Sequence, residues 1–250
     1  MSRDLKDWIR AHGTKPNLRM AAKNGKAEIA IFDDIGPSWL GLIGAQGFKQ
    51  DLEALGNVSE IRVLINSHGG DVSEGTAIYN LLKDHRAKVT TEVVGMAASI
   101  ASLIFEAGDV RRVAENAALM IHLPWTITVG DEQDHEKQLQ LLKSAGVQSA
   151  KTYAARTGNS EEQILEWMKA EKWIWSDEVV GLGFADEVIP NKAMAARFNP
   201  AVYAFKNAPE ERLRALFEEF ERNNRSRELS SAERPRLAGA RALLDAVPRG

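Results

Sequence analysis

The stretch Glu60–Val94, EIRVLINSHGGDVSEGTAIYNLLKDHRAKVTTEVV, decides the fold. Glu60–Ile65 (EIRVLI) reads as a buried strand, Gly75–Lys83 as a helix, and the β-branched Lys88–Val94 as a second strand. Between the first strand and the helix lies Asn66-Ser67-His68-Gly69-Gly70. Two adjacent glycines there let the backbone approach a ligand closely and present a free N–H, or simply turn the chain. No Gly-Lys-Ser/Thr follows, so this is not a phosphate-cradling loop, and the spacing is not that of a dinucleotide-binding turn.

The same rhythm extends in both directions. Ala27–Phe32 reads as a strand, and Phe48–Leu55 as a helix that stops at Gly56. Gly95–Ala107 reads as a helix ending at Gly108, followed by short strands at Val110–Ala114 and Ala118–His122. Asp131–Arg156 is a long helical stretch closed by Thr157-Gly158. Ser160 with Gln163 forms a capping-box pattern that opens a helix over Glu161–Ala170. Ser176 is expected to cap a short helical turn ending at Gly183, with a last strand at Ala185–Ile189. Strands alternating with helices predict an α/β fold with substantial parallel pairing.

Charge divides the chain near Pro190–Asn191. Residues 191–250 hold 12 Lys+Arg against 8 Asp+Glu (+4), and residues 1–190 hold 20 against 27 (−7). Leu213, Leu216, Phe217 and Phe220 give that tail one apolar helical stripe, the pattern of an interaction module. The overall balance of −3 carries no basic signal for nucleic acid. Cysteine is absent, which excludes disulfides, cysteine-ligated metal and a sulfur nucleophile. The five histidines show no metal-ligand spacing. The first twenty residues lack the apolar stretch of a signal peptide, and the apolar run Gly95–Phe105 is too short to span a bilayer. A cytoplasmic protein without membrane attachment is the expectation.

Two further segments carry chemistry. In Gly95-Met96-Ala97-Ala98-Ser99-Ile100-Ala101-Ser102, Ser99 falls at a strand-to-helix turn, where unpaired N–H groups favour negative charge; close packing and ordinary capping explain the same residues. His122 ends an apolar strand. A serine hydroxyl within reach of one ring nitrogen and a carboxylate on the other would make it a general base.

The blocks INSHGGDVSEGTAIYNLL, VVGMAASIASLIFEAGD and ALMIHLPW, followed by TYAARTGNSEEQI and WSDEVVGLGFADEVI, resemble the proteolytic subunit of the Clp protease (ClpP) over about Ala27–Ile189. AEIAIFDDIG and the WSDEVVGLGFADEVI ending look most like the ClpP-related head maturation (prohead) proteases of tailed phages and prophages. The resemblance implies a ClpP/crotonase-like fold of repeated ββα-type units, carrying here a helical C-terminal tail. Its protease domain would span residues 27–190, between an N-terminal extension (1–26) and the charged tail (191–250). It implies a serine endopeptidase with Ser99 as nucleophile, His122 as base, and Gly70 and Ile100 as oxyanion-hole donors. The third triad member, Asp in the family, falls on Glu171, with Asp177 as the rival carboxylate. His68 replaces the family's usual Pro and reads as tolerated variation. Trp125–Val129 would be a substrate-lining strand, with Trp125, Thr126 and Ile127 against an extended peptide, and Asp131–Arg156 the helix that interlocks two rings. The implied substrates are polypeptides, capsid or scaffold proteins in the phage branch, handled by a ring-shaped homo-oligomer. No metal or cofactor is required, and any ATP use belongs to a separate unfoldase. Three other readings compete: a crotonase-like acyl-CoA enzyme, a ClpP-like subunit kept for assembly alone, and a serine–lysine enzyme drawing on Lys143, Lys151 or Lys169.

Overall fold

The computed structural model describes residues 18–190; the apolar stripe at Leu213–Phe220 and the rest of the tail lie outside the described residues. Eight strands form one sheet. β1 (Leu18–Lys23), β2 (Lys26–Ile31), β3 (Glu60–Ser67), β4 (Lys88–Ala98), β5 (Val110–Ala114) and β8 (Glu187–Ile189) lie in that spatial order. β6 (Ala118–Ile121) pairs with β4, and β7 (Lys172–Trp175) with β6. The pairings β2–β3, β3–β4, β4–β5, β4–β6 and β5–β8 are parallel, whereas β1–β2 and β6–β7 are antiparallel. The α/β expectation therefore holds.

Helices α1 (Ala45–Ala54) and α2 (Val72–Lys83) connect the parallel strands, as parallel neighbours require. Ile61, Val63 and Ile65 alternate along β3 and are buried with Phe48 and Leu52 of α1 and Ile78 and Leu82 of α2. The other face carries charge. Arg62 bridges Glu28 at 2.9 Å and also pairs with Glu92, while Arg112 reaches Glu92 at 3.5 Å and pairs with Glu187. The result is an alternating ladder across five strands, with Glu92 buried beneath its two arginines.

Three differences from the sequence reading bear on the site. Gly95–Ala98 is strand rather than helix: β4 runs on to Ala98, and helix α3 covers only Ile100–Phe105. This half of β4 pairs with β3 at Ser67↔Ala97 and with β6 at Met96↔Ala118 through Ala98↔Met120. Trp125–Val129 forms no strand. These residues have no sheet neighbour among the described residues, and Trp125, Ile127 and Val129 are 72%, 82% and 92% exposed. Ser176 does not cap the last helix, α6 (Ser176–Val179). It is the first helical residue, and its hydroxyl instead donates to the Glu115 carbonyl.

Two elements appear that the pattern reading passed over. Asn24 (φ 53°) and Gly25 (φ 73°) make the two-residue turn joining β1 to β2, a left-handed pair that suits a tight hairpin. β7 is the four-residue KWIW, its two tryptophans stacked with ring centroids 6.4 Å apart.

The long helix α4 (Glu132–Thr157) opens with a reciprocal Asp131–Asp134 capping box and ends at Gly158 in the left-handed conformation. Only Gly146, Ala150 and Tyr153 of its residues are buried, so the helix docks by its C-terminal half. Helix α5 (Glu161–Lys169) follows, capped by Ser160 through Gln163 N–H as its sequence predicts. No described helix is long and apolar enough to cross a membrane.

Candidate active site

The site lies where β4 changes neighbours. Its first half pairs with β5 at Thr90–Val93, and its second half with β6 at Met96–Ala98. Between Ile65 and Ser67 the β3–β4 register shifts, and the Asn66 side chain fills the gap by accepting the Met96 N–H at 3.1 Å. The strand then delivers Ser99 at its end.

Ser99 has φ 54° and ψ −130°, a conformation that costs a non-glycine residue about 1–3 kcal/mol. It precedes α3 but makes no side-chain cap bond. Its N–H donates to the Met120 carbonyl at 2.8 Å, and its hydroxyl lies 2.7 Å from His122 Nε2. This is the sharp strand-to-helix turn that lifts a hydroxyl clear of the backbone and holds it there. α3 is wholly buried, and at its far end Thr91 Oγ1 donates to the Phe105 carbonyl at 2.8 Å.

The Gly69-Gly70 loop packs against this turn. A Cβ on Gly69 would lie 2.6 Å from the Ala98 carbonyl oxygen and 2.7 Å from Ser99 Cβ. Gly70 (φ 138°) forms a parallel bridge with Ile35, in which Ile35 N–H donates to Gly69 O and Asp71 N–H donates to Ile35 O. In that pattern Gly70 turns its own N–H away from Ile35. Ile100, as the first residue of a helix, has an N–H without an intrahelical acceptor. The two donors expected for an oxyanion hole are thus held on either side of the Gly69–Ser99 contact.

His122 follows the last residue of β6. The antiparallel register ends at Ile121↔Lys172, so His122 and Glu171 are the next residues beyond one shared end of the two strands. One carbonyl ties the two strands' ends together: Met168 O accepts Leu123 N–H at 3.1 Å and Glu171 N–H at 3.2 Å. Glu171 is buried and has φ 50°, just past the end of α5, where a helix usually turns out through glycine. Asp177 lies beyond the other end of β7, in the first turn of α6. The Glu171 charge acts on the imidazole. Burial holds the His122 pKa below the ordinary histidine value, and the Glu171 carboxylate only partly offsets this. The resting imidazole is therefore neutral near pH 7 and able to accept a proton.

The remaining candidates separate from this centre. His68 sits on the glycine loop with Nδ1 3.6 Å from Asp34 Oδ1. Trp125, Thr126 and Ile127 follow His122 on an exposed, unpaired stretch. Lys143, Lys151 and Lys169 are solvent-exposed, and Lys169 pairs with Glu166 at 2.6 Å. No group of metal-binding side chains occurs among the described residues.

Sequence reasoning missed what stands behind Ser99. Ser102 Oγ lies 2.6 Å from Ser99 O, 3.1 Å from Met120 O and 2.8 Å from the Tyr153 hydroxyl. Ser102 was visible as the second serine of the segment, but its partner Tyr153 is 51 residues away. A second buried group escaped notice as well. Glu106, fully buried just past the end of α3, accepts from Arg111 at 2.7 Å, and Arg111 also pairs with Asp186 at 2.8 Å. Burial outweighs the arginine and pushes the Glu106 carboxyl up to about 7.

The family model described as Clp protease matches residues 50–192. The ATP-dependent Clp protease proteolytic subunit of Streptococcus equi subsp. equi is 33% identical over 149 residues, covering 58% of this chain and 76% of the relative. The ATP-dependent Clp protease proteolytic subunit 2 of Tropheryma whipplei is 30% identical over 131 residues, 52% of this chain and 73% of the relative.

Proposed function

Because the chain belongs to the Clp protease family, a family of serine peptidases, we propose that it cleaves polypeptides by acyl transfer through Ser99. His122 Nε2 takes the Ser99 proton as Oγ attacks the peptide carbonyl, and returns it to the leaving amine. Gly70 and Ile100 N–H groups receive the developing oxyanion. Water, activated by the same imidazole, then releases the acyl group. Glu171 accepts from the other ring nitrogen and stabilises the imidazolium formed along the way. The observation that carries this reading is the 2.7 Å contact between His122 Nε2 and the hydroxyl of a serine held at positive φ.

A crotonase-like acyl-CoA reaction has no use for this pairing, and an assembly-only subunit has no reason to hold a serine in a strained turn. The exposed lysines do not offer the base of a serine–lysine pair. We assign Trp125, Thr126 and Ile127 to the substrate groove, where a backbone outside any strand can add beside a peptide. The apolar residues left exposed there, with Leu139, Leu141 and Val147 on α4, support a ring-shaped homo-oligomer.

The finer role we assign is head maturation in a phage or prophage, acting on capsid or scaffold protein in the host cytoplasm or the prohead. The motifs AEIAIFDDIG and WSDEVVGLGFADEVI support it. In this reading residues 191–250 recruit the substrate, and an unfoldase, if used, is a separate chain. Wild-type protein and Ser99→Ala are to be incubated with the capsid protein encoded beside this chain. Cleavage by wild type alone is the expected result; an uncut capsid protein would count against head maturation, while fluorophosphonate labelling of Ser99 would still uphold the peptidase.

A further inference from the structure

The hydroxyl of Ser102 invites a bland explanation, since a helical serine commonly bonds back to the carbonyl three or four residues earlier. Two facts go beyond that. The carbonyl it reaches is that of Ser99, and Ser99 C=O belongs to the same peptide unit as the Ile100 N–H. A peptide unit is planar, with its C=O and N–H pointing in opposite directions. Whatever fixes the Ser99 oxygen therefore fixes the direction of the Ile100 N–H.

That oxygen is held from several sides. It accepts the Ser102 N–H at 3.0 Å and lies 2.6 Å from Ser102 Oγ. The Tyr153 hydroxyl stands 2.8 Å from Ser102 Oγ and 3.5 Å from the Ser99 oxygen. Ser102 and Tyr153 are 1% and 3% exposed, so water does not substitute for either bond. A serine hydroxyl has one hydrogen. With Tyr153 donating to Ser102 Oγ, that hydrogen is left for a carbonyl, and of the two within reach the Ser99 oxygen at 2.6 Å is nearer than the Met120 oxygen at 3.1 Å. The chain of donors runs from Tyr153 O–H to Ser102 O–H to Ser99 C=O, and hydrogen bonds in such a chain strengthen one another. Accepting a strong bond at the carbonyl also makes the N–H of the same peptide a better donor. Burial raises the Tyr153 pKa, which keeps the phenol protonated as the head of the chain.

We infer that Ser102 and Tyr153 are positioning residues of the oxyanion hole, which aim and polarise the Ile100 N–H through the Ser99–Ile100 peptide. The inference rests on the serine-peptidase reading above. It assigns no contact with substrate to either side chain. Tyr153 belongs to α4, so a helix that otherwise projects from the molecule contributes to the hole from behind.

The test is a double-mutant cycle on peptide hydrolysis by the full chain, with active sites counted by fluorophosphonate titration to completion. Rates are expressed per titrated site, which removes any loss due to misfolded protein. Ser102→Ala is expected to lower kcat about 10- to 100-fold with KM within about 2-fold, less than or equal to the loss of a whole oxyanion donor. Tyr153→Phe is expected to give a smaller loss, under about 10-fold, because Ser102 can still donate. The loss in the double variant should fall short of the product of the two single losses, since both hydroxyls serve one chain to the Ser99 oxygen. A peptide aldehyde, whose adduct places an oxyanion in the hole, should lose affinity in parallel with kcat. Unchanged kcat per site in Ser102→Ala, or losses that multiply in the double variant, would overturn the inference and leave the peptidase standing. Wild-type protein that takes no label at Ser99 would overturn both.

Discussion

His122 Nε2 stands 2.7 Å from Ser99 Oγ because the strands that end at these two residues are hydrogen-bonded neighbours. Ala98 pairs with Met120, and the Ser99 N–H continues the ladder to the Met120 carbonyl at 2.8 Å. Both side chains leave the sheet at the same edge, so their distance is set by backbone register rather than by flexible loops. Substitutions at the two positions should accordingly remove chemistry and spare the fold. Ser99→Ala and His122→Ala are each expected to reduce peptide hydrolysis by at least about 10⁴-fold with unchanged circular dichroism.

The positive φ of Ser99 makes a separate prediction about stability. Alanine keeps the Cβ that is strained at φ 54°, and glycine does not. Ser99→Gly should therefore be the more stable of the two inactive variants, by about 1 kcal/mol, read as a higher Tm. Equal Tm values would mean that the turn stores no strain.

Glu171 affects both rate and pH dependence. Burial lowers the His122 pKa and the Glu171 charge raises it. The acid limb of the activity profile, where the imidazole is lost to protonation, should lie below the ordinary histidine value of about 6.5. In Glu171→Gln the raising influence disappears, so that limb should move to still lower pH while kcat drops by about 10²–10⁴-fold. Asp177→Asn should move neither. A profile that shifts in Asp177→Asn would transfer the role to that residue.

Gly70 has no room for a side chain. A Cβ there would fall 2.0 Å from the Ile35 carbonyl oxygen. Gly70→Ala must therefore break the Ile35 bridge and swing the N–H that we assign to the oxyanion hole. The expected result is a loss of about 10²–10³-fold in kcat at least, together with a lower Tm. Retained activity would remove Gly70 from the oxyanion hole.

Glu106 should leave its mark on stability rather than on rate. Its carboxyl is pushed up to about 7 in the folded chain from an unfolded value of 4.5, so the folded state holds the extra proton between those limits. The stabilisation from this group is full below about 4.5 and is lost as pH rises through about 7. Glu106→Gln carries no such titration. Its Tm should overtake that of wild type as pH rises from about 5 to 8, by up to about 5 °C. Parallel Tm curves would show that Arg111 keeps the carboxylate charged throughout.

Much of this architecture could be read from pattern. The apolar run EIRVLI, the paired glycines and the strand-ending His122 are all local signals, and the long helix carries its own caps. The segment Met96–Ala98 could not be read in this way. Small residues suit a tight helix as well as a strand hemmed in on both sides, and only the pairing with Ala118–Met120 chooses between them. Asn24-Gly25 is a local turn signal, but the strand it closes, LRMAAK, lacks the clear alternation that would mark a hairpin. Trp125–Val129 has the right composition for a strand, but composition supplies no neighbour. Glu171 was reached through family resemblance. Its proximity to His122 depends on the register of β7, a four-residue strand with too few positions to show a period.

The alternating ladder Glu28–Arg62–Glu92–Arg112–Glu187 bears on how such a sheet avoids being built wrongly. The outer pairs, Glu28–Arg62 and Arg112–Glu187, contribute little to the finished molecule, whereas the buried Glu92 depends on its two arginines. Parallel strands, however, find one another across long stretches of chain, and wrong neighbours are plausible competitors during that search. In the native register Glu28 and Arg62 lie level with Thr90 and Val110, so setting β2 against β4 would put Glu28 diagonal to Glu92, and setting β3 against β5 would put Arg62 diagonal to Arg112. Like charges facing each other across adjacent strands are destabilising. The ladder thus disfavours misordered sheets, and the contribution of its outer pairs is to be sought in refolding yield and aggregation rather than in the melting temperature of the native state.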